Sequence, residues 1–133
     1  MTGRLQGKVA IVTGAGCVGP GWGNGRAMAV RFAQEGARVW AVDIDLSSMD
    51  ETLERAGAAR SAITPYRCDV TDSAAIAGLV NACLDQHGRI DILVNNVGTP
   101  VPGGPVKLSE ADWQRQIDIN LSTVFLTCKQ VIP

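Results

Sequence analysis

The sequence predicts an α/β fold: a doubly wound parallel sheet, strand order 3-2-1-4, with helices on both faces and one domain over residues 1–133. Three observations carry this. Apolar runs of strand length alternate with segments of helical period, the pattern of βαβ units. The first run, Val9 to Val12, is apolar throughout, as a strand covered on both faces should be. A glycine-rich stretch from Gly14 to Gly25 separates that run from the first helical segment.

The elements follow in order. After the strand "VAIV" and the glycine loop, Gly25, Ala29, Phe32, Ala33 and Gly36 fall on one helical stripe. Arg31, Gln34 and Glu35 fall opposite, and Gly36 ends the helix. A second strand, "RVWAVD", closes on Asp43, and Ser47 or Ser48 caps the helix after it. The third strand, within "ITPYRCDV", contains Pro65, which cannot donate to a ladder and therefore belongs at a sheet edge. Asp72 or Ser73 caps the next helix, with the stripe Ile76, Leu79, Val80 and Cys83 and a stop at Gly88. "IDILV" is the fourth strand, and Ser109 with Asp112 forms a capping box for a last helix that continues to Pro133. Right-handed crossovers in this order put the third strand on one edge and the fourth on the other. The fourth strand's bare edge invites pairing, and a fifth strand would cover it.

A chain of 133 residues with net charge -1 has the makings of one globular core and offers no electrostatic case for nucleic acid or an anionic membrane. The cysteines Cys17, Cys68, Cys83 and Cys128 lack metal-ligand spacing, so no metal site is expected and free thiols in a reducing compartment are. No apolar run is long enough for a signal peptide or a membrane span, and a cytoplasmic location is the expectation. The sequon Asn120-Leu121-Ser122 is then silent.

A phosphate-binding turn needs a strand before it and a helix N-terminus after it, where free N–H groups and partial positive charge collect. The literal G-x-G-x-x-G at Gly14, Gly16 and Gly19 runs into Pro20 and Gly21, which cannot be a helix interior. The pair that fits is Gly23 and Gly25, with Gly14 turning out of the strand. Asp43 lies 18 residues after Gly25, where an acidic side chain accepts the ribose 2′-OH of a dinucleotide. A solvated loop-end carboxylate is the plain alternative. A carboxylate there repels a 2′-phosphate, and neither Ile44 nor Trp22 is basic, which favours NAD over NADP.

Together these residues resemble the N-terminal half of the short-chain dehydrogenase/reductase family. "LQGKVAIVTGAG" resembles the family's opening, and "GNGRAMAVRFAQEGARV" the end of its T-G-x-x-x-G-x-G turn and first helix. "CDVTD" resembles the segment after its third strand, and "HGRIDILVNNVG" its fourth strand with an N-N-A-G motif. Asn120 in "IDINLSTVF" matches the asparagine of the family's Asn-Ser-Tyr-Lys set. The resemblance implies a Rossmann-like sheet that binds a nicotinamide dinucleotide and a hydride transfer between an alcohol and a carbonyl. Thr13, Gly14, Gly23, Asn24 and Gly25 would line the pyrophosphate, and Asp43 the adenosine ribose. Asp69 and Val70 would flank the adenine, while Asn95, Val97 and Gly98 would line the coenzyme from the fourth strand. Asn120 would distort its helix and hold a water in a proton relay. From the residues alone, Asn120 is a polar member of the stripe Trp113, Ile117, Asn120, Val124 and needs a partner, which a loop backbone could equally supply.

Two departures stand out. Eight residues separate Gly14 from Gly23 where the motif has three, and Val97 replaces an alanine. The family's Y-x-x-x-K is absent: the one tyrosine, Tyr66, is followed four residues on by Val70. His87 reads as a solvated helix-end histidine. The expectation is a chain cut within the helix after the fourth strand, carrying the coenzyme-binding half and inactive alone. Ile119, Phe125 and Leu126 form a second apolar face, so the helix over 109–133 is a candidate homo-oligomer surface. Competing readings are an NAD-binding or partner-binding fragment without chemistry, and a methyltransferase, against which "NNVG" and Thr13 argue.

Overall fold

The structure is a computed structural model and describes residues 3–133; the first two residues of the expected domain lie outside them. Four parallel strands, β1 (Val9–Thr13), β2 (Arg38–Asp43), β3 (Ile63–Arg67) and β4 (Ile92–Val94), form one sheet in the order β3-β2-β1-β4. Pro65 is in the edge strand β3, opposite Ala41, so its missing N–H interrupts no interior ladder.

Alternation along β1 and β2 builds two cores. One face carries Val12, Val39 and Ala41 against Ala29, Val30 and Ala33 of helix α1 (Asn24–Gln34) and Met49 and Ala56 of α2 (Met49–Ala56). The other carries Val9, Ile11, Trp40 and Val42 against Ile76, Leu79, Val80 and Cys83 of α3 (Ser73–His87). The last helical segment comprises α4 (Glu110–Ile117), a π-helical turn Asp118–Ser122, and α5 (Thr123–Val131).

Local chemistry sets most boundaries as expected. Gly36 and Gly88 follow α1 and α3 at φ +94° and +71°, conformations that suit glycine. The Asp72 carboxylate accepts from the N–H groups of Ala74 and Ala75 and starts α3. Several expectations are corrected. Neither Ser47 nor Ser48 caps α2 through its side chain: Asp45 accepts from the Ser47 N–H and opens a 3₁₀ turn, Leu46–Ser48, which leads into the helix. Ser109 does accept from the Asp112 N–H, but the Asp112 carboxylate accepts from the Ser109 hydroxyl instead of reaching back to its backbone.

β4 is shorter than "IDILV", because Asp91 takes up the Val9 N–H with its carboxylate, at 2.9 Å, and regular pairing begins at Ile92. The expected stripe on the last helix is not its buried face: Trp113 is 59% exposed and Val124 is also exposed, whereas Thr123 and Thr127 are buried. Leu126, expected on an outer face, packs in the second core. His87 is half-buried where a solvated side chain was expected: its Nε2 is buried without a partner and its ring stands edge-on to Trp40.

Candidate functional site

The C-terminal ends of all four strands converge on one side of the sheet, where open α/β sheets bind ligands. Three polar ties assemble this side. The Thr13 hydroxyl donates to the Val94 carbonyl and accepts from the Asn96 N–H at 3.1 Å, which joins the ends of β1 and β4. The Asn96 side chain donates to the Gly14 carbonyl. The Cys68 N–H donates to the Asp43 carbonyl and brings Asp69 beside the end of β2.

The glycines have distinct reasons for being there. Gly14 turns out of β1 at φ +62°. A β-carbon on Gly25 would overlap the Gly14 carbonyl oxygen, so α1 can enter this close to β1 only with glycine. Gly23 is the extended N-cap of α1 and has no side chain to satisfy the helix's first N–H groups, among them those of Asn24 and Gly25. This is a cradle of backbone donors at a helix start, and a phosphate fits its chemistry. The Asp43 carboxylate ties the end of β2 to the glycine loop, with Oδ2 accepting from Gly16 N–H at 3.1 Å and Oδ1 from Asp45 N–H.

Each of the other expected residues has its own partners. Asp69 accepts from both the N–H and the hydroxyl of Thr71, chiefly the hydroxyl, and these bonds hold its carboxyl below the usual range. Val70 is a core residue, 5% exposed. Asn95 is held by α5, its Oδ1 accepting from the Thr127 hydroxyl. Val97 packs against the second core and near Gly14, and a β-carbon on Gly98 would sit 2.7 Å from Asn120 Oδ1.

Asn120 lies in the π-helical turn and meets the loop after β4. Its Oδ1 accepts from Thr99 N–H and its Nδ2 donates to the Thr99 carbonyl, both at 3.1 Å. Nδ2 also donates to the Gln116 carbonyl, the acceptor an α-helix would offer to the Asn120 backbone N–H. The partner it needed is thus a loop backbone. A cavity between this loop and α4, lined by Leu108, Trp113, Ile117 and Leu121, opens beside it.

Sequence reasoning missed Arg26 and Asn96. Arg26 is 2% exposed yet charged, and it anchors the long glycine loop. Its signal was present: positions 26, 29, 30 and 33 share one helical face. Asn96 is the unassigned second asparagine of "NNVG". Among the described residues no group of three His, Cys, Asp or Glu side chains could hold a metal ion, and no helix is long and apolar enough to cross a membrane.

Residues 8–133 match the family described as short chain dehydrogenase. A crystal structure of a short-chain dehydrogenase/reductase from Burkholderia xenovorans is 66% identical, with a TM-score of 0.95 over 98% of this chain and 52% of that one. Carveol dehydrogenase from Mycobacterium avium, in complex with NAD, is 36% identical with a TM-score of 0.87, covering 99% of this chain and 50% of its own. A metagenomic short-chain oxidoreductase in complex with NADP is 35% identical with a TM-score of 0.86, covering 97% and 57%. The chain spans about half the length of the curated relatives it matches, 51% and 47% of two that are 38% and 40% identical.

Proposed function

The chain belongs to the short-chain dehydrogenase/reductase family, and on that premise we propose that it is the coenzyme-binding half of an oxidoreductase that moves a hydride between NAD and an alcohol or carbonyl substrate. The observation that carries the reading is the approach of Gly25 to Gly14 at an uncapped helix start, with Asp43 bound to the same glycine loop through Gly16 N–H. Thr13, Gly14, Gly23, Asn24 and Gly25 would hold the pyrophosphate and Asp43 the adenosine ribose. Asp69 and Val70 would flank the adenine, and Asn95, Val97 and Gly98 would line the coenzyme from the fourth strand. The bound coenzyme supplies the hydride donor or acceptor. Asn120, tied to the Thr99 backbone, would orient a water for proton transfer at the substrate oxygen.

NAD in preference to NADP is supported by the Asp43 carboxylate and by the pairing of both nearby loop-anchoring cations, Arg26 and Arg55, with Glu51. In titration calorimetry NAD should bind and NADP should bind more weakly, a gap that Asp43→Asn should narrow. S-adenosylmethionine should give no heat, and a chain that binds it but no dinucleotide would overturn the reading.

We expect the chain alone to be inactive, because its single tyrosine, Tyr66, lies tilted against Trp40 at the second core and has Val70, not lysine, four residues on. Turnover of any alcohol or carbonyl by the purified chain would contradict this. The free cysteines, with Cys68 and Cys83 thiols pushed up to about 11 by burial, support a reducing, cytoplasmic setting. The exposed Leu121, Val124 and Phe125 support self-association through the last helix.

A further inference from the structure

The eight-residue stretch between Gly14 and Gly23 is closed by a network that none of the motif residues explains. At its centre is the buried guanidinium of Arg26. Nε donates to the Thr52 hydroxyl at 3.0 Å, Nη2 to the Ser48 carbonyl at 2.8 Å, and Nη1 to the Gly21 carbonyl and to Glu51 Oε2 at 2.8 Å. The other Glu51 oxygen accepts from the Gly21 N–H at 2.9 Å and from Arg55. Arg55 in turn lies over the Trp22 ring, 4.6 Å from its centroid. Thr52 relays the grip to the start of the loop by donating to the Ala15 carbonyl.

Glu51 thus holds both backbone groups of Gly21, the N–H directly and the carbonyl through Arg26. A buried cation is costly unless its donors are met, and here the loop supplies part of what Arg26 requires. Gly21 and Trp22 lead directly into Gly23, so wherever this network holds them, it holds the entry to α1. An enlarged loop with five glycines from Gly14 to Gly23 would otherwise have a large conformational freedom to lose on binding a ligand.

We propose that Arg26 and Glu51 are positioning residues: they close the enlarged glycine loop onto α2 and so fix Gly23 and the first N–H groups of α1 for a pyrophosphate. This rests on the coenzyme reading above and adds to it two residues on separate helices. It predicts a selective effect. Loss of the closure should weaken ligands that carry a pyrophosphate and spare ligands that carry only the adenosine.

The test compares calorimetric affinities of ADP-ribose and adenosine for the parent chain, Glu51→Ala and Glu51→Gln, with hydrogen exchange of the Gly21 amide read in each. Glu51 is half-buried, Ala and Gln both suit its helix, and three of the bonds that Arg26 donates, to Thr52, Ser48 and Gly21, do not involve it. Arg26 itself is a poorer target, because removing a buried cation endangers the fold. Glu51→Ala should free the Gly21 amide to exchange and weaken ADP-ribose about tenfold, the size of one lost charge-assisted bond. Adenosine affinity should stay as in the parent, and Glu51→Gln, which keeps an acceptor, should fall between. Equal losses for both ligands, or a freely exchanging Gly21 with ADP-ribose affinity unchanged, would overturn the proposal. A parent chain that protects Gly21 yet binds no ADP-ribose would overturn the coenzyme reading and the role given to the closure with it.

Discussion

A β-carbon at residue 25 has no space to occupy: the Gly14 carbonyl oxygen and the Asn96 amide, 2.5 Å from it, fill the position. Gly25→Ala must therefore push α1 away from β1. Overpacking of this kind costs about 2 kcal/mol, and a urea melt should show it as a lower midpoint, with NAD affinity lost as well. At this scale, legibility in the sequence depended on the reason for each residue. Gly14 and Gly25 were found because backbone proximity demands glycine and leaves a mark in composition. Arg26 was not, because a buried arginine looks in sequence like any helix-surface cation; the acceptors that make its burial tolerable, on Thr52, Glu51, Ser48 and Gly21, come mostly from a distant part of the chain. Asn120 was found as a polar break in a stripe, although the stripe itself turned out exposed.

Elements begin and end where side chains take over backbone hydrogen bonds. At the start of α3, Asp72→Ala removes the acceptor of two N–H groups and should cost about 1 kcal/mol, read as a shift in urea midpoint with the slope unchanged. At the start of β4, Asp91 accepts the Val9 N–H and is paired with Arg89. The Arg89 bond first, and the Val9 N–H second, hold the Asp91 carboxyl below its ordinary value. The stability it contributes is thus present above the unfolded carboxylate pKa, about 3.9, and is lost as pH falls through that value and below the folded one. Asp91→Asn should be the less stable chain at neutral pH, and thermal melts of the two should converge in acid. The same residue shows why β4 was misjudged in length. "IDILV" has the right apolarity, but which acceptor Val9 uses is a matter between two strands and is written in neither alone. Strand β2 and the glycine that ends α3, whose causes are local, were legible to the residue, and the N-cap of α3 to one of two neighbours, Asp72 or Ser73. The π-helical turn was visible only through the resemblance that implied a distortion at Asn120.

For the molecule as a whole, the order β3-β2-β1-β4 followed from crossover handedness and the proline in β3, both readable without a structure. The distribution of apolar surface did not follow, because helical periodicity gives a face without saying what covers it. Phe125 is 64% exposed, and Leu121 and Val124 are exposed beside it. If the last helix is an association surface, sedimentation should show oligomers that grow with concentration, and Phe125→Glu should shift the chain towards monomer without lowering its melting temperature. The two-faced sheet has one more consequence. Its tryptophans stand in three separate layers: Trp22 on the closed glycine loop, Trp40 sealed in the second core beside Tyr66, and Trp113 on α4. Trp22 and Trp113 are 57% and 59% exposed and Trp40 is 4% exposed. Iodide should therefore quench two emitters and spare the third, whose bluer light, fed by Tyr66, marks the intact sheet. The protein thus carries its own optical gauge, able to tell a loosened loop from a lost core.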